Sequence, residues 1–364
     1  MRDIAEELLE WIDAGESFAV ASVTRISGSA PRGPGAAMAV RADGAVLGSL
    51  SGGCIEGAVH EAARDVLDTG VPVRHSYDYD PDNPFAVGLT CGGVIDVHIQ
   101  RFTPDSGAAL PAALRAARDG APVAVARVLD TGALLAVRPT GYDGTTGDIT
   151  LDERIATRAR ALLAEDRTGT LTLCQSHTGA DHLDREIFVE SWTTPPRMLV
   201  FGAIDYAAAL SRMGKFLGYH VTVCDARAVF ATASRFPDAD DVVVQWPHKY
   251  LEDCELDERT VICVLTHDAK FDVPVLREAL RGKARYVGAL GSRRTHSDRL
   301  RRLREAGLSD VELARLHSPI GLDLHANTPE ETAVSIAAEI IATRTQATAR
   351  PLSRTDGPIH VGAA

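Results

Sequence analysis

The sequence predicts an α/β protein in two parts, an N-terminal α+β region followed by a C-terminal doubly wound parallel sheet. Two observations carry this. From Arg197 onward, short apolar runs rich in β-branched residues alternate with helical patterns, as in a parallel sheet covered on both faces. Before Arg197, strand-like runs, a tight-turn dipeptide and amphipathic helices are mixed. The chain of 364 residues is long for one core, so two or three domains are expected.

The first stretch, "MRDIAEELLEWIDAGE", puts Ile4, Leu8, Leu9, Trp11 and Ile12 on one helical face, ended by Gly15. "FAVASVTRI" (18–26) reads as a buried strand, and the prolines and glycines of "SGSAPRGPGA" (27–36) make a loop. "AMAVRADGAVLGSL" is a hairpin around Asp43-Gly44. After a Gly-Gly-Cys turn, "IEGAVHEAARDVLDTG" (55–70) is a helix with one apolar face. "VRHSYDY" and "GGVIDVHIQRF" are strands flanking an acidic loop at 78–84, and residues 103–111 form a linker.

Residues 112–194 resemble a worn copy of residues 1–102. "VAVARVLD" (123–130) parallels "FAVASVTR" (18–25) at a spacing of 105, and the helix at 152–169 parallels the one ending at Gly70 at a spacing of 99. The shift of six residues matches loss of the proline loop, and Cys54 then aligns with Glu153. Cys91 has no counterpart either, so the loop and both cysteines read as additions to a scaffold that does without them. The expected divisions are 1–102, 112–194, 195–345 and a mobile tail, 346–364.

In the C-terminal part, "RMLVFG", "HVTVCDAR", "RTVICVLTH" and "ARYVGALGS" are strands, and "AAALSRMGKFLGY" is a helix. Thr328-Pro329-Glu330-Glu331 opens the last helix with a capping box and a proline at its first position. A strand, a glycine turn, a helix and Asp225 at the next strand's end give a Rossmann-like layout. The fingerprint itself is damaged: Gly202 is followed by Ile204 and Ala207, with Asp205 adding negative charge where a pyrophosphate would rest. This argues against NAD(P) binding and leaves Asp225 as either a ribose ligand or a turn residue.

Net charge is −12 and aromatics are 5%, which argues against a nucleic-acid binder. The N-terminal stretch is not a signal peptide, and no run approaches the roughly 18 apolar residues of a membrane span. Six cysteines are too few for a disulfide scaffold, so a cytoplasmic protein with reduced thiols is expected.

Candidate chemistry falls in two places. "GALGSRRTH" (288–296) offers Gly288, Gly291, Ser292, Arg293 and Arg294 between a strand end and a helix start, where amides favour an oxyanion. His267-Asp268 lies at another strand end. The alternative is a solvated basic helix, since Arg299, Arg301, Arg302 and Arg304 continue the run. The second place is the mirrored pair "GGC" and "CGG": Gly52, Gly53 and Cys54, then Cys91, Gly92 and Gly93. Two thiols facing a ligand, packing, a metal clip and a disulfide all remain open. Cys54, just before a helix, is the thiol expected to be activated by unpaired amides and the helix dipole. His177 and His182 read as solvated loop residues, and Cys174, Cys224, Cys254 and Cys263 as core thiols.

"GSAPRGPGAAMAV", "GSLSGGCIEGAVHEAARDVL" and "CGGVIDVHI" resemble the N-terminal domain of the XdhC/CoxI family. "VTVCDAR", "YVGALGSRR" and "PIGLDLHANTPEETAVSIAAEII" resemble that family's Rossmann domain, so the resemblance runs over roughly residues 5 to 345. It implies an accessory protein more than a turnover enzyme. Such a protein binds molybdenum cofactor, shields it while a cysteine desulfurase supplies the sulfido ligand, and delivers it to an apo molybdenum hydroxylase of the xanthine dehydrogenase type. A homodimer is a further expectation of the resemblance. This chain departs from the pattern at Ile204, Asp205 and Tyr206, and at His325, where glycine is common. On this footing Cys54, with Cys91 near it, contacts the molybdenum or its transferable sulfur, and Arg32 and the 288–294 loop hold phosphate or pterin oxygens. An NAD(P)-dependent oxidoreductase and a purely protein-binding adaptor are the alternatives.

Overall fold

The computed structural model describes residues 1–78, 88–89, 92–175, 183–356 and 359. It forms two compact units, one spanning Met1–Thr194 and the other Pro195–Thr355.

The first unit opens with helix α1 (Ala5–Asp13), strands β1 (Phe18–Ser27), β2 (Ala37–Arg41) and β3 (Val46–Gly48), helix α2 (Glu56–Thr69), and strands β4 (Val73–Tyr77) and β5 (Val94–Phe102). The same order then recurs as α3 (Ala109–Arg118), β6 (Val123–Val128), β7 (Leu134–Val137), β8 (Tyr142–Gly144), α4 (Ile149–Ala164), β9 (Gly169–Gln175) and β10 (Leu183–Trp192). The two antiparallel sheets have matching strand orders, β3-β2-β1-β5-β4 and β8-β7-β6-β10-β9. Gly48 and Gly144 hold equivalent positions. A Cβ on either would lie within 2.3 Å of the carbonyl of the neighbouring strand's first residue, Ala37 or Leu134. The connection that separates the halves most is the one after their first strand, residues 28–36 against residues 129–133. Helix α3 begins inside the expected linker, and both halves lie in one compact unit.

Side-chain alternation sorts three cores. Val59, Ala63 and Val66 of α2 pack on Ala19, Ala21 and Val97 of the first sheet. Ile155, Ala156 and Ala159 of α4 do the same on Ala124, Ala126 and Val189 of the second. The opposite faces share Phe18, Val20, Phe102, Val125 and Trp192 with Leu8 of α1 and Leu110 and Leu114 of α3. Not all of this region is apolar. Arg127 and Glu190 are buried as a pair, Nη2 to Oε1 3.8 Å, with Arg127 also donating to Ser22 Oγ at 3.0 Å.

The second unit is built from β11 (Arg197–Phe201), α5 (Asp205–Phe216), β12 (His220–Asp225), β13 (Asp241–Val244), α6 (Pro247–Glu252), β14 (Val261–Val264) and α7 (Ala269–Arg281). It continues with β15 (Tyr286–Ala289), α8 (Arg293–Glu305), α9 (Asp310–Leu313), β16 (Leu316–His317) and α10 (Pro329–Thr345). Its parallel sheet runs β13-β12-β11-β14-β15-β16, so the order reverses direction between β11 and β14. One core lies on each face, with α5 and α10 on one side and α7 on the other. The predicted capping box is formed. Thr328 Oγ1 accepts from Glu331 N at 3.1 Å, and Glu331 Oε2 accepts from Thr328 N at 3.2 Å. Among the described residues no helix is long and apolar enough to cross a membrane.

Candidate functional site

Register places three loops at one end of the first sheet. Ser27 ends β1 opposite Val94, Ala37 starts β2 opposite Ser22, Gly48 ends β3 opposite Met38, and Tyr77 ends β4 opposite Ile95. The connections that follow β1, β3 and β4 therefore leave from the same end. Ala30, Leu50, Cys54 and Leu89, one or two from each loop, meet in a single apolar cluster that half-buries Cys54.

The loop bearing Cys54 is folded around one carboxylate. Glu56 Oε1 accepts from Ser49 Oγ (2.7 Å), Leu50 N (3.0 Å), Ser51 N (2.8 Å) and Gly52 N (3.0 Å). Its Oε2 accepts from Ser51 Oγ (2.6 Å), Gly53 N (2.8 Å) and Ile55 N (3.2 Å). Cys54 N donates to Ser51 Oγ at 3.0 Å. Partial burial disfavours the charge, but the Ser51 and Ser49 hydroxyls and the amides outweigh it and hold Glu56 far below the usual carboxylate range. The amides of residues 50–55, ahead of α2, are thus spent on Glu56 and Ser51. In the second half Asp152 does a similar job, accepting from Thr146 N at 2.7 Å and from the Thr145 and Thr146 hydroxyls at 2.6 Å.

The glycines divide. Gly52 (φ +78°) and Gly53 (φ +123°) have left-handed backbones, and a Cβ there would meet nothing within 4 Å. Among the described residues the space beside them is open. Gly92 is also open, but a Cβ on Gly93 would lie 2.1 Å from Ser29 O, so Gly93 serves the packing of the 28–36 loop. Arg32 pairs with Asp3, on the segment preceding α1. Cys91, His177 and His182 lie outside the described residues. Among the described residues no three His, Cys, Asp or Glu side chains cluster as a metal site. Cys224 and Cys263 are buried core thiols as expected, and burial pushes Cys224 up to about 12.

A second concavity, about 660 Å³, opens at the carboxyl ends of β11, β12 and β14, within the second unit. Ile204 lines it at the turn into α5, where a fingerprint glycine would stand. Asp225 is fully engaged: it accepts from Ala203 N (2.8 Å), Arg227 N (2.9 Å), and Arg227 Nε (2.9 Å) and Nη2 (2.8 Å). Burial opposes its charge, yet Arg227 and the amides keep its carboxyl below the ordinary range. Of the two readings of Asp225, the turn residue is the one observed. His267 lines the cavity as expected. Ser292 caps α8, accepting from Thr295 N at 3.1 Å, and Gly291 (φ +154°) sits above Thr295. Arg294, not Arg293, faces the cavity.

Sequence reasoning missed Glu56, whose partners are mostly backbone, and the buried pair Asp272–Arg299 at 2.9 Å on the cavity wall. Arg299 also donates to Ser318 Oγ (3.0 Å) and Leu290 O (2.8 Å), tying α7, α8 and the end of β15 together. Burial raises the Asp272 carboxyl despite Thr266 and Arg299.

Known proteins resemble this chain over most of its length. Residues 11–78 match the model of the XdhC and CoxI family, and residues 198–340 match the XdhC Rossmann domain. The chain is 28% identical over 333 residues to a probable xanthine dehydrogenase subunit of Bacillus subtilis, covering 90% of this chain and 94% of that one. It is 26% identical over 347 residues to the molybdenum cofactor insertion chaperone PaoD of Escherichia coli, covering 94% and 88%. The crystal structure of a xanthine dehydrogenase from Bacillus halodurans superposes with a TM-score of 0.68 over 96% of this chain and 98% of the other, at 24% identity, which speaks to the fold. With both of its modules matched in order, the chain belongs to the XdhC and CoxI family.

Proposed function

We propose that this protein is an accessory factor that binds molybdenum cofactor and inserts it into a molybdenum hydroxylase of the xanthine dehydrogenase type. Cargo, not a resident cofactor, is the appropriate word. The observation that carries the proposal is the Cys54 loop: a half-exposed thiol presented by a glycine turn with open space beside it. A soft thiolate suits a soft, sulfur-accepting molybdenum centre, and the dithiolene of the cargo already supplies the remaining sulfur ligands. Glu56 fixes the loop before the cargo arrives, so little ordering entropy is lost on binding. In this reading Cys54 meets the metal or its transferable sulfur, and Cys91 acts with it. Gly52, Gly53 and Gly92 give clearance, and Gly93 seats the neighbouring loop. Arg32, which pairs with Asp3, is a weaker candidate for a polar contact; His267, Gly291, Ser292 and Arg293 belong to the second unit and are proposed as a separate oxyanion-binding region. A cysteine desulfurase is the proposed sulfur donor while the cargo is held.

The test is reconstitution. Apo-hydroxylase incubated with cofactor should gain activity faster, and lose less cofactor to oxidation, when the wild-type protein is present. Cys54→Ser should abolish the gain. Equal activation by wild type and variant would remove the role assigned to Cys54.

A further inference from the structure

We infer that the crevice of the second unit binds a phosphate monoester, gripped by arginine side chains and not by a glycine turn. This sharpens the cargo reading, from which it takes only that the ligand carries a terminal phosphate.

The cavity opens where the strand order reverses, between β11 and β14, which is where open α/β sheets collect ligands. Its volume of about 660 Å³ suits a small organic ligand.

The chain carries −12 overall, yet this cavity is lined by Arg227, Lys270, Arg294, Arg299 and Arg302 against three carboxylates. Three of those cations are spent: Arg227 on Asp225, Lys270 on Asp268 at 2.9 Å, and Arg299 on Asp272. Arg294 and Arg302 have no acidic partner among the described residues. They stand eight residues apart on α8, two helical turns on one face, with Asp298 between them. Eight residues are about 12 Å of helix rise, so the two guanidinium groups, both lining the cavity, make a basic wall that favours a dianion.

The dinucleotide alternative lacks its donors. Ala203 N is given to Asp225, Ile204 N to Gly202 O at 3.0 Å, and the Ile204 side chain lines the cavity at the pyrophosphate position. Asp205 then places a negative charge in the first turn of α5. Asp225, which would hold a ribose diol, has no unfilled role. The pocket that remains suits one terminal phosphate on the α8 side.

Calorimetric titration at low salt, with glycerol 3-phosphate, inorganic phosphate and NADH as probes, tests this. Wild type should bind glycerol 3-phosphate saturably, with inorganic phosphate competing and NADH weaker. Arg294→Ala/Arg302→Ala should weaken the monoester about 10- to 100-fold, the loss expected for charge-assisted contacts, with an unchanged melting curve. Cys54→Ser should leave it unaltered, which separates failure here from failure of the cargo reading. No saturable binding of either phosphate probe, equal binding by the double variant, or NADH binding tighter than the monoester would overturn the inference.

Discussion

Glu56→Gln is the perturbation that reads the Cys54 loop most sharply. The glutamine keeps the Oε1 position, which accepts from Ser49, Leu50, Ser51 and Gly52, but replaces Oε2 with a donor. Ser51 Oγ can rotate its proton away and keeps Ile55 N as a donor at 3.1 Å, whereas Gly53 N is left facing an NH2 group. Losing that charge-assisted bond and the charge that the remaining amides and hydroxyls meet amounts to about 2 kcal/mol at this partly buried site. The effect depends on pH with a definite sign. A carboxyl held far below its reference value of 4.5 stabilises the fold above that value and loses the contribution as pH falls through it. At about pH 3.5 the wild type should have lost roughly 1 kcal/mol of this advantage after allowing for solvent screening. The gap between wild type and Glu56→Gln should therefore narrow by that amount between neutral and acid urea titrations. Hydrogen exchange should show residues 49–55 loosened roughly 30-fold in the variant at neutral pH, in line with a loss of about 2 kcal/mol. Equal urea midpoints, or a gap that does not change with pH, would refute the carboxylate cradle.

Three further outcomes rest on the same structure. Glu190→Gln strips the counter-charge from the buried Arg127 guanidinium and should cost about 3 kcal/mol in urea unfolding, whereas Arg127→Met/Glu190→Leu should recover most of it. His98 is buried and its pKa is lowered to about 3, by burial first and by Arg127 second. The unfolded chain then takes up the extra proton between about pH 6.5 and pH 3, so stability should fall with acidification through that window, and His98→Gln should flatten the fall. Gly93→Ala drives a Cβ to within 2.1 Å of Ser29 O and should cost about 2 kcal/mol or more, while Gly52→Ala, with open space and a left-handed backbone, should cost about 1 kcal/mol. Differential scanning of both variants checks the contrast, and a larger loss at Gly52 would contradict it.

Much of the fold was legible because period and punctuation agree. Gly44 turns the first hairpin, and Thr328 and Glu331 cap α10, as their residue types dictate. The repeated element order was visible only faintly, through two short matches, because buried strand faces preserve apolar character and not identity. Helix α3 escaped notice since "ALPAALRAAR" comes after a proline- and glycine-bearing stretch and reads as its continuation. β13 escaped because it is a half-buried strand of four residues at the sheet's edge.

The site was less legible, for a physical reason. Cys54 and its glycines stand out as residue types, but one acid binding backbone amides shapes their loop, and any acid at the start of a helix looks like an ordinary dipole partner. Asp225 had two equal readings until the structure showed Arg227 on it. Gly93 stands out in sequence only as part of the mirrored pair, and the neighbouring loop alone reveals that Ser29 packs where its side chain would be.

The central claim is that the Cys54 thiol holds the metal end of the cargo. Anaerobic incubation with molybdenum cofactor, then gel filtration and metal analysis of the protein peak, tests it most directly. Wild type should elute with close to one molybdenum per chain, and Cys54→Ser should lose the metal during the column run while eluting at the same volume. Equal molybdenum in the two peaks would contradict the account.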